Sequence, residues 1–237
     1  MTNSHFFAPL GAPGCTTIIW GEPRAILNRV LFAIAQDVDP NFFWLDIRSS
    51  LDPGIEPGPV ELGLIPKDRL YVTSRPTEVR PADPIAPRAL SVVLRVDAPD
   101  AEVTTLVDFL RLPKLTHQLI DGLDRSPGPH VLVFANAERV REYYPRNSAE
   151  VRPFLEGQSR AGVIPLYGIY GPTGEARMAG DFVFELRGLD LAHWSEAVLL
   201  CEKAPSGSGF RAGASIPLGT VACFRESFEK GASARAN

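Results

Sequence analysis

A short segment near the amino terminus has the residue order of a phosphate-binding loop but little of its chemistry. The apolar run 16–20 leads into Gly21, and apolar residues then recur at helical spacing, at Ile26, Val30 and Ile34. A strand, a tight glycine turn and a helix form the frame of the G-x-x-x-x-G-K-[ST] loop. The candidate positions of such a loop are Gly21, Glu22, Pro23, Arg24, Ile26, Leu27 and Asn28.

Three residues in this segment replace the groups that would hold a nucleotide. Ile26 stands at the second glycine, and its β-branched side chain resists the backbone dihedrals with which a loop wraps a phosphate. Leu27 stands at the lysine and carries no charge for the phosphates. Asn28 is a poorer magnesium ligand than the hydroxyl it replaces. We therefore expect an NTPase ancestry without NTP hydrolysis.

Length and composition favour one ordinary globular domain. The chain has 237 residues, of which 45% are hydrophobic, and a formal net charge of −4, which gives no general attraction to nucleic acid or membranes. Its three cysteines form no C-x-x-C pair, which is typical of reduced thiols. We find no signal peptide and no apolar run of the ~18 residues that a membrane span needs, so we expect a cytoplasmic protein.

Apolar runs that alternate with helical patterns position the loop-like segment in a sheet. Fully apolar early strands separated by helices predict an α/β fold with a mostly parallel central sheet and helices on both faces. Short gaps between the late strands predict antiparallel strands at the C-terminal edge. The predicted strands are 15–20, 42–47, 70–73, 130–134, 163–169, 182–186, 197–201 and 215–224, and further helices are predicted at 101–110, 115–123 and 147–158.

The domain organisation follows from the breakers in the sequence. We predict a single domain over 1–230 and a disordered tail at 231–237. Within the domain, 51–88 contains eight prolines, a density that excludes regular helix and central strand. This segment is therefore expected to wrap the surface, with one short strand inside it.

The order and spacing of these segments resemble the RecA/KaiC-like branch of the P-loop ATPases over residues 10–203. The resemblance implies a three-layer RecA-like fold. It also implies a Walker B strand at 131–136, in which Ala135 stands at the magnesium-binding aspartate and is followed by Asn136. The family's catalytic glutamate falls at Arg48, after a second core strand that resembles 42–46. A trans-acting Lys-x-Arg finger, which reaches the neighbouring subunit's nucleotide, would retain its lysine as Lys203 but has Pro205 at the arginine.

The resemblance implies a non-catalytic protein. Phosphoryl transfer depends on electrostatic positioning, and the phosphate lysine, the metal carboxylate and the glutamate are all replaced. We therefore expect a pseudo-ATPase without cofactor or metal. It would serve as a scaffold or regulatory subunit that packs head to tail, as a homo-oligomer or as a hetero-oligomer with an active RecA/KaiC-like ATPase.

Two other functions stay open. A sensor module would bind a nucleotide or another anionic ligand in a rebuilt pocket, formed by Arg24, Arg29, Asp46 and Arg48. The simpler interpretation of those arginines is exposed charge near a helix start. A DNA-associated recombinase paralogue would use the arginines and tyrosines of 138–146. From 138 to 160 five arginines stand against four glutamates, which supports nucleic-acid binding only weakly.

Overall fold

The computed structural model describes an α/β protein built on a nine-stranded sheet. It describes residues 5–40, 42–49, 58–67, 70–73, 92–98, 130–135, 163–171 and 180–233. The strands are β1 (Thr17–Glu22), β2 (Phe43–Ser49), β3 (Leu70–Thr73), β4 (Val92–Ala98), β5 (His130–Phe134), β6 (Val163–Tyr170), β7 (Phe182–Arg187), β8 (Val198–Lys203) and β9 (Ser215–Pro217). The described α-helices are α1 (Arg24–Val38) and α2 (Ala222–Ser233), and short 3-10 helices occupy Ala8–Gly11, Trp194–Glu196 and Leu218–Thr220.

The sheet is mostly parallel, as predicted. Its strand order is β3-β4-β2-β5-β6-β1-β7-β8-β9. Each neighbouring pair in the order from β3 to β7 is parallel. β8 and β9 are antiparallel to their neighbours, and these late strands form the C-terminal edge, which is one lateral side of the sheet. The unpredicted strand β4 lies between β3 and β2. None of the described helices is long and apolar enough to cross a membrane.

The centre of the sheet is buried on both faces. Ile18 and Ile19 are consecutive in β1 and point to opposite faces, yet they are only 2% and 0% exposed. α1 packs on the Ile19 face, where a Cβ on Gly168 of β6 would collide with Leu31. A helix can approach β6 this closely because Gly168 has no side chain.

α1 is buried nearly all round rather than on the single face that its periodicity predicts. All residues from 26 to 35 are buried. The sheet covers one side of the helix, and α2 packs against it through Phe224 and Phe228, which are 0% and 5% exposed. Tertiary packing by a helix that is distant in the sequence therefore overrides the predicted polar face.

The end of the chain differs from the prediction. The strand expected at 215–224 is wrong beyond Pro217, because the chain turns there and forms α2 from Ala222. α2 continues to Ser233, three residues into the predicted tail, and 234–237 lie outside the described residues. The proline-rich segment also differs from a surface wrap in its described part, since Val60, Leu62 and Ile65 are 1–6% exposed and lie in the core. The helices predicted between 101 and 158 lie outside the described residues.

Candidate functional site at the carboxyl edge of the sheet

The carboxyl ends of β1, β6 and β7 meet where the sequence predicts the phosphate loop. Gly21 pairs with Tyr170 of β6 on one side and with Leu186 of β7 on the other. From this edge β1 connects through α1 towards β2, whereas β7 connects in the opposite direction to β8. In parallel α/β sheets ligands bind outside the carboxyl ends of the strands, which makes this edge the candidate site.

Gly21 belongs to the strand and does not form the predicted tight turn. Its φ is +135°, and a Cβ at this position would collide with the carbonyl oxygen of Leu186. Glu22 continues the strand and pairs with Arg187. The glycine is therefore required for the close approach of β1 and β7, a structural reason that is unrelated to phosphate binding.

The helix begins where a phosphate loop would lie. Only Pro23 separates β1 from α1, which starts at Arg24, and the Glu22–Pro23 peptide bond is cis. The backbone N–H groups of Ile26 and Leu27 both donate to the carbonyl oxygen of Pro23, at 3.1 and 3.0 Å. In a phosphate loop the amides at these positions would face the ligand. Here the helix uses them in its own first turn.

The side chains at the three key loop positions point into the protein. Ile26 and Leu27 are both 0% exposed, and Asn28 is 3% exposed. Gly188, just after β7, lies against Ile26, so the chain following β7 packs onto the start of α1. A ligand at the sheet edge therefore meets none of the three side chains.

Ala135, which the resemblance places at the Walker B aspartate, lies at the same edge and carries no carboxylate. Ala135 directly follows β5 and is 4% exposed. β6 separates β5 from β1, and both of those pairings are parallel, so the ends of β1 and β5 face the same side. The buried methyl group of Ala135 cannot bind magnesium. Asn136 lies outside the described residues.

The four residues of the predicted anion pocket are not brought together in the described contacts. Arg24 remains at the edge, with its guanidinium carbon 4.6 Å from the centre of the Tyr170 ring. Three strand intervals separate β1 from β2, which carries Asp46 and Arg48, a backbone separation of about 14 Å. The side chains of Asp46 and Arg48 lie outside the described part of the structure.

Arg29 is neither an exposed charge nor a group at the sheet edge. It is 4% exposed, and its Nη1 donates to the carbonyl oxygen of Ser227 at 2.8 Å. Its guanidinium carbon lies 5.4 Å from the centre of the Phe228 ring, which stacks on Trp194. Arg29 therefore joins α1 to α2, a role that sequence reasoning missed because the partners are 198 residues apart.

Lys203 lies at the amino ends of the parallel strands, opposite to the carboxyl ends where Gly21 lies. It ends β8 and pairs with Val183 at the start of β7, whereas Gly21 lies level with Leu186 near the end of β7. Its Nζ donates to the carbonyl oxygen of Gly180 at 2.5 Å, and the residue is exposed. Any action of Lys203 on a nucleotide at a β1–α1 edge therefore requires a second subunit.

The environments of the three cysteines disfavour the thiolate form. Burial raises the pKa of Cys15 and of Cys201, and burial together with the nearby Asp37 carboxylate raises the pKa of Cys223 to about 12. Because the thiolate is the nucleophilic form, none of the three is activated at neutral pH. Their environments support structural roles.

Comparisons with known proteins add no constraint to this geometry. A scan of the sequence against protein families finds no matching family model, and a search of curated proteins finds no match. The carboxyl edge combines a strand-to-helix connection after Gly21 with a first helical turn whose amides are bonded to Pro23.

Proposed function

We propose that this protein is a non-catalytic RecA/KaiC-like pseudo-ATPase with a three-layer fold and helices on both faces of the sheet. The observation that carries the proposal is the first turn of α1. The amides of Ile26 and Leu27 are bonded to Pro23, and both side chains are fully buried. A triphosphate at this edge would find neither the amides of Ile26 and Leu27 nor a lysine.

The loss extends to the metal. Phosphoryl transfer requires positive charge and magnesium at the phosphates, because the transition state spreads negative charge over several oxygens. Leu27 and Ala135, which replace the phosphate lysine and the metal carboxylate of the resemblance, are both buried and uncharged. The two replacements support a protein that keeps the strand-to-helix arrangement of the ATPases but does not hydrolyse ATP.

The role we propose is that of a scaffold or regulatory subunit in a homo-oligomer, or in a hetero-oligomer with an active RecA/KaiC-like ATPase. Head-to-tail packing would bring Lys203 of one subunit towards the loop edge of the next. The carboxyl edge also presents apolar contact area, since Leu189 and Tyr170 are 76% and 40% exposed. Both features support subunit contacts without catalysis.

The test combines nucleotide binding with molecular mass. A fluorescent ATP analogue with magnesium is titrated into the purified protein, and the mass is measured by light scattering. We expect no binding in the micromolar range and a dimer or larger species. Micromolar binding would overturn the pseudo-ATPase assignment, and a monomer with no tendency to co-purify with an ATPase would overturn the scaffold role. In a complex with an active ATPase, Lys203→Ala would lower the partner's rate without dissociating the complex.

The alternative that retains an observation is the sensor of an anionic ligand, because Arg24 lies at the sheet edge beside the partly exposed Tyr170. It predicts binding of the same ATP analogue with loss of affinity in Arg24→Ala. Arg29→Met serves as the matched variant, since Arg29 points to α2 and should not change that affinity. The segment proposed for nucleic acid, 138–146, lies outside the described residues.

A further inference from the structure

A cleft lies beside β9, where the end of α1 meets the first turn of α2. Its volume is about 420 Å³, which falls in the range of small-molecule sites, roughly 300–1,000 Å³. The cleft is separate from the β1–α1 edge and uses none of the residues argued above for subunit packing. Its lining combines apolar side chains with a few polar groups, and consists of Phe6, Asp37, Ser215, Ile216, Pro217, Thr220, Val221, Ala222 and Cys223.

The carboxylate of Asp37 is the charged group of this cleft. Its side chain is 12% exposed, its Oδ2 accepts the N–H of Phe7 at 2.8 Å, and its Oδ1 lies 3.3 Å from Nδ1 of His5. A carboxylate has about four lone-pair positions, so these contacts leave acceptor capacity. The lining residues, all within the described part of the chain, include no lysine or arginine.

The other polar groups do not favour an anion. The hydroxyl of Thr220 donates to the carbonyl oxygen of Pro217 at 2.8 Å, which leaves its own oxygen as an acceptor. The Cys223 thiol stays neutral, because burial and Asp37 raise its pKa to about 12. The first turn of α2 alone would attract negative charge. Asp37 already places a carboxylate there, close enough for its field to act on Cys223.

From this arrangement we propose that the cleft binds a small organic cation, an ammonium group carried on an aromatic or aliphatic body. The ammonium pairs with Asp37, and the body packs on Val221 and on the ring of Phe6, which is 46% exposed. Phe6 and Asp37 both line the cleft, so a ligand can pair an ammonium with the carboxylate while its apolar body packs on aromatic and aliphatic surface. The inference goes beyond the proposed function and does not depend on it.

Three probes of one shape test the proposal. Benzylamine, benzyl alcohol and benzoate are titrated against the full-length protein by ligand-observed NMR. We expect benzylamine to bind about tenfold more tightly than benzyl alcohol, because only the ammonium forms a charge-assisted hydrogen bond. Benzoate should not bind. Equal affinities for the amine and the alcohol, or a preference for benzoate, would overturn the proposal.

Two substitutions assign the binding to this cleft. Asp37→Asn should remove the preference for the amine while it keeps an oxygen acceptor for the N–H of Phe7. Ala222→Trp should fill the cleft from an exposed position and abolish binding of all probes, which keeps the test decisive if Asp37→Asn does not fold. Asp190 is an exposed carboxylate outside the lining, and Asp190→Asn, the matched control, should leave the affinities of all three probes unchanged. Unchanged benzylamine binding in Ala222→Trp would also rule out the cleft.

Discussion

The carboxyl edge of β1 and the cleft beside β9 contrast in sequence signal and in local chemistry. The edge has a sequence that predicts a ligand site, yet the structure fills it with Ile26 and Leu27 and closes the first helical turn on Pro23. The cleft has no motif, yet it contains a carboxylate, an aromatic ring and open volume. A motif-like residue order indicates only the strand-to-helix geometry. Whether a ligand binds depends on which chemical groups face solvent.

The difference has a backbone origin. A phosphate loop keeps its amides unbonded until the ligand arrives. At the carboxyl edge only Pro23 lies between β1 and α1. The amides of Ile26 and Leu27, at the positions that would face a ligand, are therefore already bonded to Pro23. A single missing lysine could be restored by mutation, but a missing loop could not. The first prediction tests that distinction, and the second tests the packing of β1 on β7 at the same edge.

The largest effect is expected from restoring the lysine. Leu27→Lys places an ammonium in a site that is 0% exposed. We expect it to lower the free energy of unfolding by about 4 kcal/mol, through lost apolar burial and desolvation of the charge. Urea denaturation measures the change, and the ATP analogue checks that no binding returns.

Leu189→Lys is the matched control for this substitution. Leu189 is 76% exposed, so the same replacement should change stability by no more than about 0.5 kcal/mol. A stable Leu27→Lys variant that gains nucleotide affinity would show that the lysine position faces a ligand. It would then contradict the closed edge.

A smaller effect is expected from Gly21→Ala. The substitution forces a Cβ against the carbonyl oxygen of Leu186 at a φ of +135°. We expect a loss of about 2–4 kcal/mol, since backbone strain alone contributes about 1–3 kcal/mol and the strands must also separate. Thermal or urea unfolding measures it.

Gly207→Ala is the comparison at a positive-φ glycine without a backbone contact. Gly207 also has positive φ, +81°, but a Cβ there meets nothing within 4 Å. It should cost about 1 kcal/mol, from the backbone conformation alone. If the two variants lose equal stability, the contact between β1 and β7 does not explain the glycine at position 21.

The sequence predicts the sheet well where local pattern decides. The apolar run 130–134 forms β5 at those bounds, and 70–73 forms β3. β4 was not predicted, and its sequence interrupts the apolar run with Arg95 and Asp97. The turn at Pro217 was also missed, although a proline there ends a strand for a known reason.

The sites were less predictable because their partners are far apart in the sequence. The sequence predicts Arg29 as a surface charge. In the structure its side chain donates a hydrogen bond to the carbonyl oxygen of Ser227, 198 residues away. Asp37 lies in an ordinary helical segment, and its value as a binding group depends on Phe6, Phe7 and the start of α2. No local pattern specifies such contacts.

The smallest effect is expected at an exposed pair near the carboxyl edge. Oδ1 of Asp190 accepts from the backbone N–H of His193 at 3.0 Å and lies 2.9 Å from Nδ1 of its ring. The side-chain hydrogen bond raises the pKa of His193 above its ordinary value of 6.5, and the same contacts lower the pKa of Asp190 below its ordinary 3.8.

The stabilisation from His193 is complete below pH 6.5 and is lost as pH rises through the raised pKa. That from Asp190 is complete above pH 3.8 and is lost as pH falls through the lowered pKa. The pair therefore stabilises the fold most between those two values.

Asp190→Asn tests this pair by NMR titration of the His193 ring, whose midpoint should move down towards the ordinary value. The asparagine oxygen can still accept the backbone N–H groups of Ala192 and His193, so the turn should persist. An unchanged His193 midpoint would mean that solvent screens the pair completely in solution. In that case this exposed pair would contribute little to the pH dependence of stability. The buried loop positions at the same edge likewise contribute little to ligand binding.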